Sequence, residues 1–173
     1  MKEIEVKILE IDRQVLEKRL ITLGARSIFS GELHARFYDN PKQFITSNGE
    51  VLRIRREGEE VFLTFKAPIS LQGAKIMEEL EVGISEITPL LKIMRHLGFH
   101  VIKETQKWRD EYQLEDSKVV FDNYKGDLAH IPEFMEIEAP SLERLYEVLE
   151  LLGIDKANAL SWSTYDLVQH YSS

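Results

Sequence analysis

The sequence predicts an α+β fold of about eight antiparallel strands, with helices packed on their apolar face. Three observations carry that expectation. Apolar and charged residues alternate with period two along most strand-like runs, so that Ile4, Val6 and Ile8 share one face of the first while Glu3, Glu5 and Lys7 share the other. A pattern of Glu-x-Glu, a helix-like stretch and Leu-Gly recurs: it opens at Glu3/Glu5, Glu79/Glu81 and Glu136/Glu138 and closes at Leu23-Gly24, Leu97-Gly98 and Leu152-Gly153. The helix-like stretches carry apolar stripes, Val15, Leu16, Leu20 and Leu23 in one and Leu90, Leu91, Met94 and Leu97 in another, and such stripes need an apolar partner.

The elements follow in order. Residues 2–10 alternate as a strand, Asp12 caps the first helix, and Gly24 stops it. Strands are expected over 26–38, 50–57 and 61–66, with Gly58-Glu59 as the hairpin turn between the last two. Residues 67–73, with Pro68, Ser70 and Gly73, read as a loop. A strand at 75–83 leads to a helix with Thr88-Pro89 as cap and first position and Gly98 as stop. Strands at 101–113, 117–123 and 134–139 come next, with a loop holding Gly126 and Pro132 before the last. Ser141 caps a helix that ends at Gly153, and a short helix occupies 163–171.

The faces are unusually segregated. Arg53 and Arg55 oppose Leu52 and Ile54, Lys66 opposes Leu63 and Phe65, and Glu79 and Glu81 oppose Leu80 and Val82. Lys107 and Arg109 lie together with Trp108 opposite, Asp122 opposes Val119 and Phe121, and Glu136 and Glu138 oppose Met135 and Ile137. With helices on the apolar faces, the charged faces either turn inward around a wet channel, which about eight strands can enclose, or face solvent as a flat sheet.

Bulk properties narrow the function. The 173 residues read as one domain spanning 1–173, with 43 % apolar residues and no run long enough for a spanning helix. Met1-Lys2-Glu3-Ile4-Glu5 reads directly as a strand, without a signal-peptide apolar region. A formal net charge of −8 argues against binding nucleic acid or an anionic membrane. No cysteine is present, so thiolate metal sites are excluded and a cytoplasmic protein is expected. A homodimer through a sheet edge or helix is compatible with the sequence.

Acids side by side are best compensated by divalent cations, and oxygen-only ligation favours Mg²⁺ or Mn²⁺. Bases side by side are best compensated by a polyanion such as a chain of phosphates. Both sets in one channel point to a metal-bound phosphate substrate.

At these residues the chain resembles the CYTH superfamily of triphosphate tunnel enzymes, which includes class IV adenylate cyclases, thiamine triphosphatases and tripolyphosphatases. The opening Glu3-Ile4-Glu5-Val6-Lys7 is similar to the family's Glu-x-Glu-x-Lys signature. Leu52-Arg53-Ile54-Arg55, Leu63-Thr64-Phe65-Lys66, Glu79-x-Glu81, Lys107-x-Arg109, Asp122 and Glu136-Ile137-Glu138 follow in the family's order. The resemblance implies an eight-stranded antiparallel β-barrel, a tunnel with helices on its outer apolar face. It implies that Lys7, Arg53, Arg55, Lys66, Lys107 and Arg109 grip a small-molecule triphosphate, with Lys7, Lys66 and Arg109 stabilising the charge that develops. Glu3, Glu5, Glu79, Glu81, Asp122, Glu136 and Glu138 would hold the metal and position the attacking oxygen. The chain departs from the family pattern at His34 and Arg36, where relatives often carry an acid, and in the approach to the last acidic pair, Gly126–Ile131 with His130.

Hydrolysis of a triphosphate is expected first, with cyclisation of ATP as the alternative and a non-catalytic polyphosphate- or nucleotide-binding module as the third. The histidines are too scattered for a ligand cluster, although the His130 loop could overhang a tunnel mouth. Trp108 and Trp162 read as core. Arg36, Lys75 and Lys103 share parity with tunnel residues or with solvent, and Glu57, Glu59 and Glu60 read as a solvated run beside a turn.

Overall fold

The computed structural model of the chain describes residues 2–70 and 74–172, and for Lys2, Glu3 and Ser70 the backbone alone. Eight strands, β1 (Lys2–Ile8), β2 (Arg26–Asp39), β3 (Val51–Glu57), β4 (Glu60–Ser70), β5 (Lys75–Gly83), β6 (His100–Leu114), β7 (Ser117–Lys125) and β8 (Phe134–Ala139), close into an antiparallel barrel in the order β1-β5-β4-β3-β2-β6-β7-β8. The helices are α1 (Arg13–Thr22), α2 (Phe44–Ser47), α3 (Ile87–His96), α4 (Leu142–Leu151) and α5 (Thr164–Tyr171).

The segregated faces resolve as a tunnel. Ile4, Val6, Ile8, Val119, Phe121, Met135 and Ile137 point outward and bury against Leu16 and Leu20 of α1 and Leu145, Val148 and Leu149 of α4. A second cluster joins Tyr38, Ile54 and Val61 to Met94 of α3. A third packs Leu167 of α5 on Tyr124, Ile131 and Phe134. Each leucine fully buried in this way contributes about 1.5–3 kcal/mol.

The three Leu-Gly marks share one geometry. Gly24, Gly98 and Gly153 have φ of 83°, 86° and 67°. Behind each, the next amide reaches the carbonyl five residues back: Ala25 to Leu20, Phe99 to Met94, and Ile154 to Leu149, all at 2.9 Å. This is the paired-bond helix stop that needs a left-handed residue, and glycine takes it without strain.

Several expectations are corrected. β4 runs on through Ala67 to Ser70 because those residues pair with β5, so only Leu71–Gly73 of the expected loop lie outside the described residues. Glu86, not Thr88, caps α3, and Pro89 sits inside the first turn, where its missing N–H costs nothing. Val15 and Leu97 leave the helix stripes and are exposed. So are Leu80 and Val82, because α3 covers β3 and β4 but not the outer face of β5. Trp108 is exposed on the outer surface, where Nε1 donates to Asp110; Trp162 is partly buried against the third cluster, as expected.

The short helix α2 was not foreseen, because its cause is not local. The buried Asp39 carboxylate accepts from the amides of Asn40 (2.7 Å), Ile45 (3.0 Å) and Thr46 (2.9 Å) and from the Thr46 hydroxyl (2.7 Å). Burial would raise this carboxyl, but those bonds outweigh it and hold it at about 2, below its ordinary 3.8. A depressed folded value means the stabilisation is whole above about pH 4 and is lost as pH falls toward 2. Asp39→Ala should therefore lower stability by about 2 kcal/mol at pH 7 and by much less at pH 2, as read from urea melts at both. An equal loss at both would remove the charge from the account.

Candidate functional site

The tunnel encloses a cavity of about 1770 Å³. Barrel order makes neighbours of β5, β1 and β8, the strands that carry the three acidic pairs. Register sets Glu5 opposite Lys75 on one side and Glu138 on the other, with Lys7 opposite Glu136. The Glu3 side chain, expected among the metal ligands, lies outside the described residues.

At the centre is a buried network of ion pairs. Lys7 Nζ is 2.6 Å from Glu136 and 3.5 Å from Glu5, and Lys75 Nζ is 2.6 Å from Glu5. Arg109 donates to Asp122 through Nε (2.8 Å) and Nη2 (2.6 Å), and Nη2 also reaches Glu136 at 2.8 Å. Lys107 bonds to the same Asp122 carboxylate, which is fully buried. Toward β3–β5, Arg55 pairs with Glu57 (3.0 Å) and Glu81 (3.2 Å), Thr64 donates to Glu81 (2.7 Å), and Lys66 lies 3.3 Å from Glu79.

The electrostatics follow from this packing. Burial works against every charge here, yet the partners prevail at most positions. Lys7 and Lys75 bring Glu5 down to about 2. Lys7, Lys107 and Arg109 hold Glu136 well below the carboxylate range. Glu136 and Glu5 raise Lys7, and Asp122 and Glu136 raise Arg109. Lys107 is the exception: burial and the neighbouring Arg109 outweigh its acids and lower it to about 8.

The charges are also ordered along the axis. The end at which β1 finishes is the one at which β5, β3 and β6 start, since ring neighbours are antiparallel. On β1 and β4 the inward acid precedes the base, as Glu5 then Lys7 and Glu60 then Lys66. On β3, β5 and β6 the base comes first, as Arg53 and Arg55 then Glu57, Lys75 then Glu79 and Glu81, and Lys107 and Arg109 then Glu111. The reversal follows strand direction, so one end is rich in bases and the other in acids. On β7 the order runs the other way, Lys118 before Asp122. The base-rich end is bordered by α2 and by residues 161–166, whose approach is fixed by the two backbone bonds between Lys7 and Leu160.

Every described site residue expected from the sequence is placed on this inner face. The sequence reading misses Glu57, Glu111, Lys118 and Glu60, and leaves Lys75 and Lys103 undecided. Period-two parity extended outward from Arg55, Arg109 and Asp122 would have found the first three. Glu57 is no solvated turn residue, since its side chain pairs inward with Arg55. Arg36 and His34 lie on the outside, against Glu104 and Gln106. His130 is exposed, its ring near the Asp127 carbonyl. The inward residues of β2 are apolar: Phe29, Leu33, Ala35 and Phe37.

The donor set suits a hard divalent cation: only carboxylates, on adjacent strands, with Glu5 and Glu136 close enough to feel each other's charge. Among the described residues no three such groups converge on one point, Glu136 and Glu5 each being drawn to a lysine. No described helix is long and apolar enough to cross a membrane.

The CYTH domain family matches residues 1–158 of the chain. A Methanocaldococcus jannaschii protein named "Putative adenylate cyclase MJ0240" is 28 % identical over 176 residues, covering 96 % of this chain and 98 % of that one. The PH1819 protein of Pyrococcus horikoshii OT3 superposes with a TM-score of 0.76 at 25 % identity over 97 % of this chain and 98 % of its own. HpAC1 from Hippeastrum, described as a "putative adenylyl cyclase" that reveals a dominant triphosphatase activity, gives a TM-score of 0.66 at 18 % identity over 98 % and 95 %, a likeness of fold alone.

Proposed function

Because the chain belongs to the CYTH domain family, we propose that its tunnel binds the triphosphate group of a small molecule and hydrolyses it with a divalent metal ion. The observation that carries this is the axial array of paired acids and bases inside a closed barrel. Charges confined at this density serve poorly as scaffolding, because a buried pair gains little over apolar packing. They serve well to receive a metal ion and a polyanion together.

On this reading Lys7, Arg53, Arg55, Lys66, Lys107 and Arg109 grip the phosphate oxygens. Lys7, Lys66 and Arg109 oppose the charge that grows on the transferred phosphoryl group. Glu3, Glu5, Glu79, Glu81, Glu136 and Glu138 would hold Mg²⁺ or Mn²⁺, which when bound polarises phosphate oxygens and lowers the pKa of a water. Asp122, expected with them, keeps its oxygens on Arg109 and Lys107 and is better suited to aim those two bases. Water attacks the terminal phosphorus, the adjacent phosphoanhydride bond breaks, and the water's proton passes to solvent. Hydrolysis asks only that the polyphosphate be held in line.

The Methanocaldococcus name favours a second reading, in which the ribose 3′-hydroxyl of ATP attacks the α-phosphorus and pyrophosphate leaves. The products separate the two. Incubation with ATP, tripolyphosphate or thiamine triphosphate and Mg²⁺ or Mn²⁺ should release orthophosphate, and cyclic AMP with pyrophosphate would establish cyclisation instead. Lys66→Ala should weaken triphosphate binding by about tenfold, measured by calorimetry, and unchanged affinity would remove Lys66 from the grip.

A further inference from the structure

β1 and β2 are four strands apart in either direction around the barrel, so they face each other across it. β1 brings Glu5 and Lys7, while β2 brings buried Leu33 and Ala35 and a partly buried Phe37. An apolar stave in a charged tunnel has no role in gripping phosphates. Its last inward residue, Phe37, stands at the base-rich end, in register with Arg53 of β3 and Lys103 of β6. Lys103 Nζ lies 6.0 Å from the Phe37 ring centre. Among the described residues Lys103 faces no carboxylate within ion-pair distance, in contrast to Lys7, Lys66, Lys75, Lys107, Arg55 and Arg109.

We propose that Phe37, flanked by Lys103 and Arg53, seats the organic group of the substrate, and that this group is a neutral planar base, so that a nucleoside triphosphate is preferred to an inorganic or a cationic organic one. The inference rests on the triphosphate reading above. An aromatic face stacks any planar ring. Two adjacent positive charges oppose a cationic ring such as a thiazolium, which is discrimination by repulsion. The unpaired Lys103 is open to the phosphate nearest the base, and the chain of phosphates then runs toward the acids. Phe37 offers one face and fixes no ribose hydroxyl, so it governs which triphosphate enters and not which bond breaks.

The test compares kcat/KM, and affinity by calorimetry, for ATP, tripolyphosphate and thiamine triphosphate in wild type, Phe37→Ala, Phe37→Leu and Lys103→Met. Wild type should prefer ATP to both others. Phe37→Ala should lower the ratio of ATP to tripolyphosphate about tenfold or more, with Phe37→Leu between. Lys103→Met should lower the ratio of ATP to thiamine triphosphate. Circular dichroism and the melting temperature report whether each variant is folded. Ratios unmoved by these changes, or a wild-type preference for thiamine triphosphate or tripolyphosphate, would overturn the base seat while leaving the triphosphate reading intact. Neither binding nor turnover of any of the three by wild type would overturn both.

Discussion

Asp122→Ala is expected to lose about 3–5 kcal/mol of stability, a fall in melting temperature on the order of 10 °C. Asp122 is fully buried and compensates two cations at once, with both oxygens on Arg109 and one shared by Lys107. Removing it leaves Arg109 with Glu136 as its remaining ion-pair partner among the described residues and cannot be relieved by deprotonation, since guanidinium stays charged. Lys107, already lowered to about 8, has that escape. Asp122→Asn should cost less, because one amide oxygen still accepts. Combining Asp122→Ala with Arg109→Met should cost less than the sum of the single changes, because the orphaned charge goes too. Thermal and urea melts read all of this, and a loss below about 1 kcal/mol for Asp122→Ala would show the network to be solvated.

Glu136→Gln is expected to cut turnover by about 10²- to 10³-fold without raising KM. The amide keeps the shape of the side chain and removes the charge that Lys7 meets at 2.6 Å and Arg109 at 2.8 Å. On the proposed function, a triphosphate must draw those bases away from Glu136 in the native protein. In the variant they are already released, so ground-state binding holds or tightens while a proposed metal ligand is gone. Steady-state kinetics with calorimetry separate these outcomes. A raised KM with unchanged kcat would make Glu136 part of the grip's scaffold and not of the chemistry.

What could be read from the chain follows the range of the cause. The parity of Glu5 and Lys7, or of Lys107 and Arg109, is local, and it assigned the inner face correctly. The stops at Gly24, Gly98 and Gly153 are equally local. Whether the charged faces turn inward depends on closure, which joins β1 to both β5 and β8 across more than seventy and a hundred residues. Residue patterns left that open until the family resemblance decided it. The helix α2 escaped because Asp39 builds it from outside, and the exposure of Leu80 and Val82 escaped because only the placement of α3 determines which strands are covered. Glu57 was misread because proximity to a turn outweighed its parity with Arg55.

The mutual neutralisation of Glu5, Lys7, Glu136 and Arg109 has a thermodynamic consequence. On the proposed reading, a cation taken up alone would strip Lys7 and Arg109 of their counter-charge, and a polyanion alone would do the same to Glu5 and Glu136. Either ligand bears the whole cost of opening the pairs, and the second arrives after that cost has been met. Metal and triphosphate affinities should therefore be cooperative, and reciprocity requires each to strengthen the other by the same factor. The resting protein would then have low affinity for either ion by itself and respond to the two in combination.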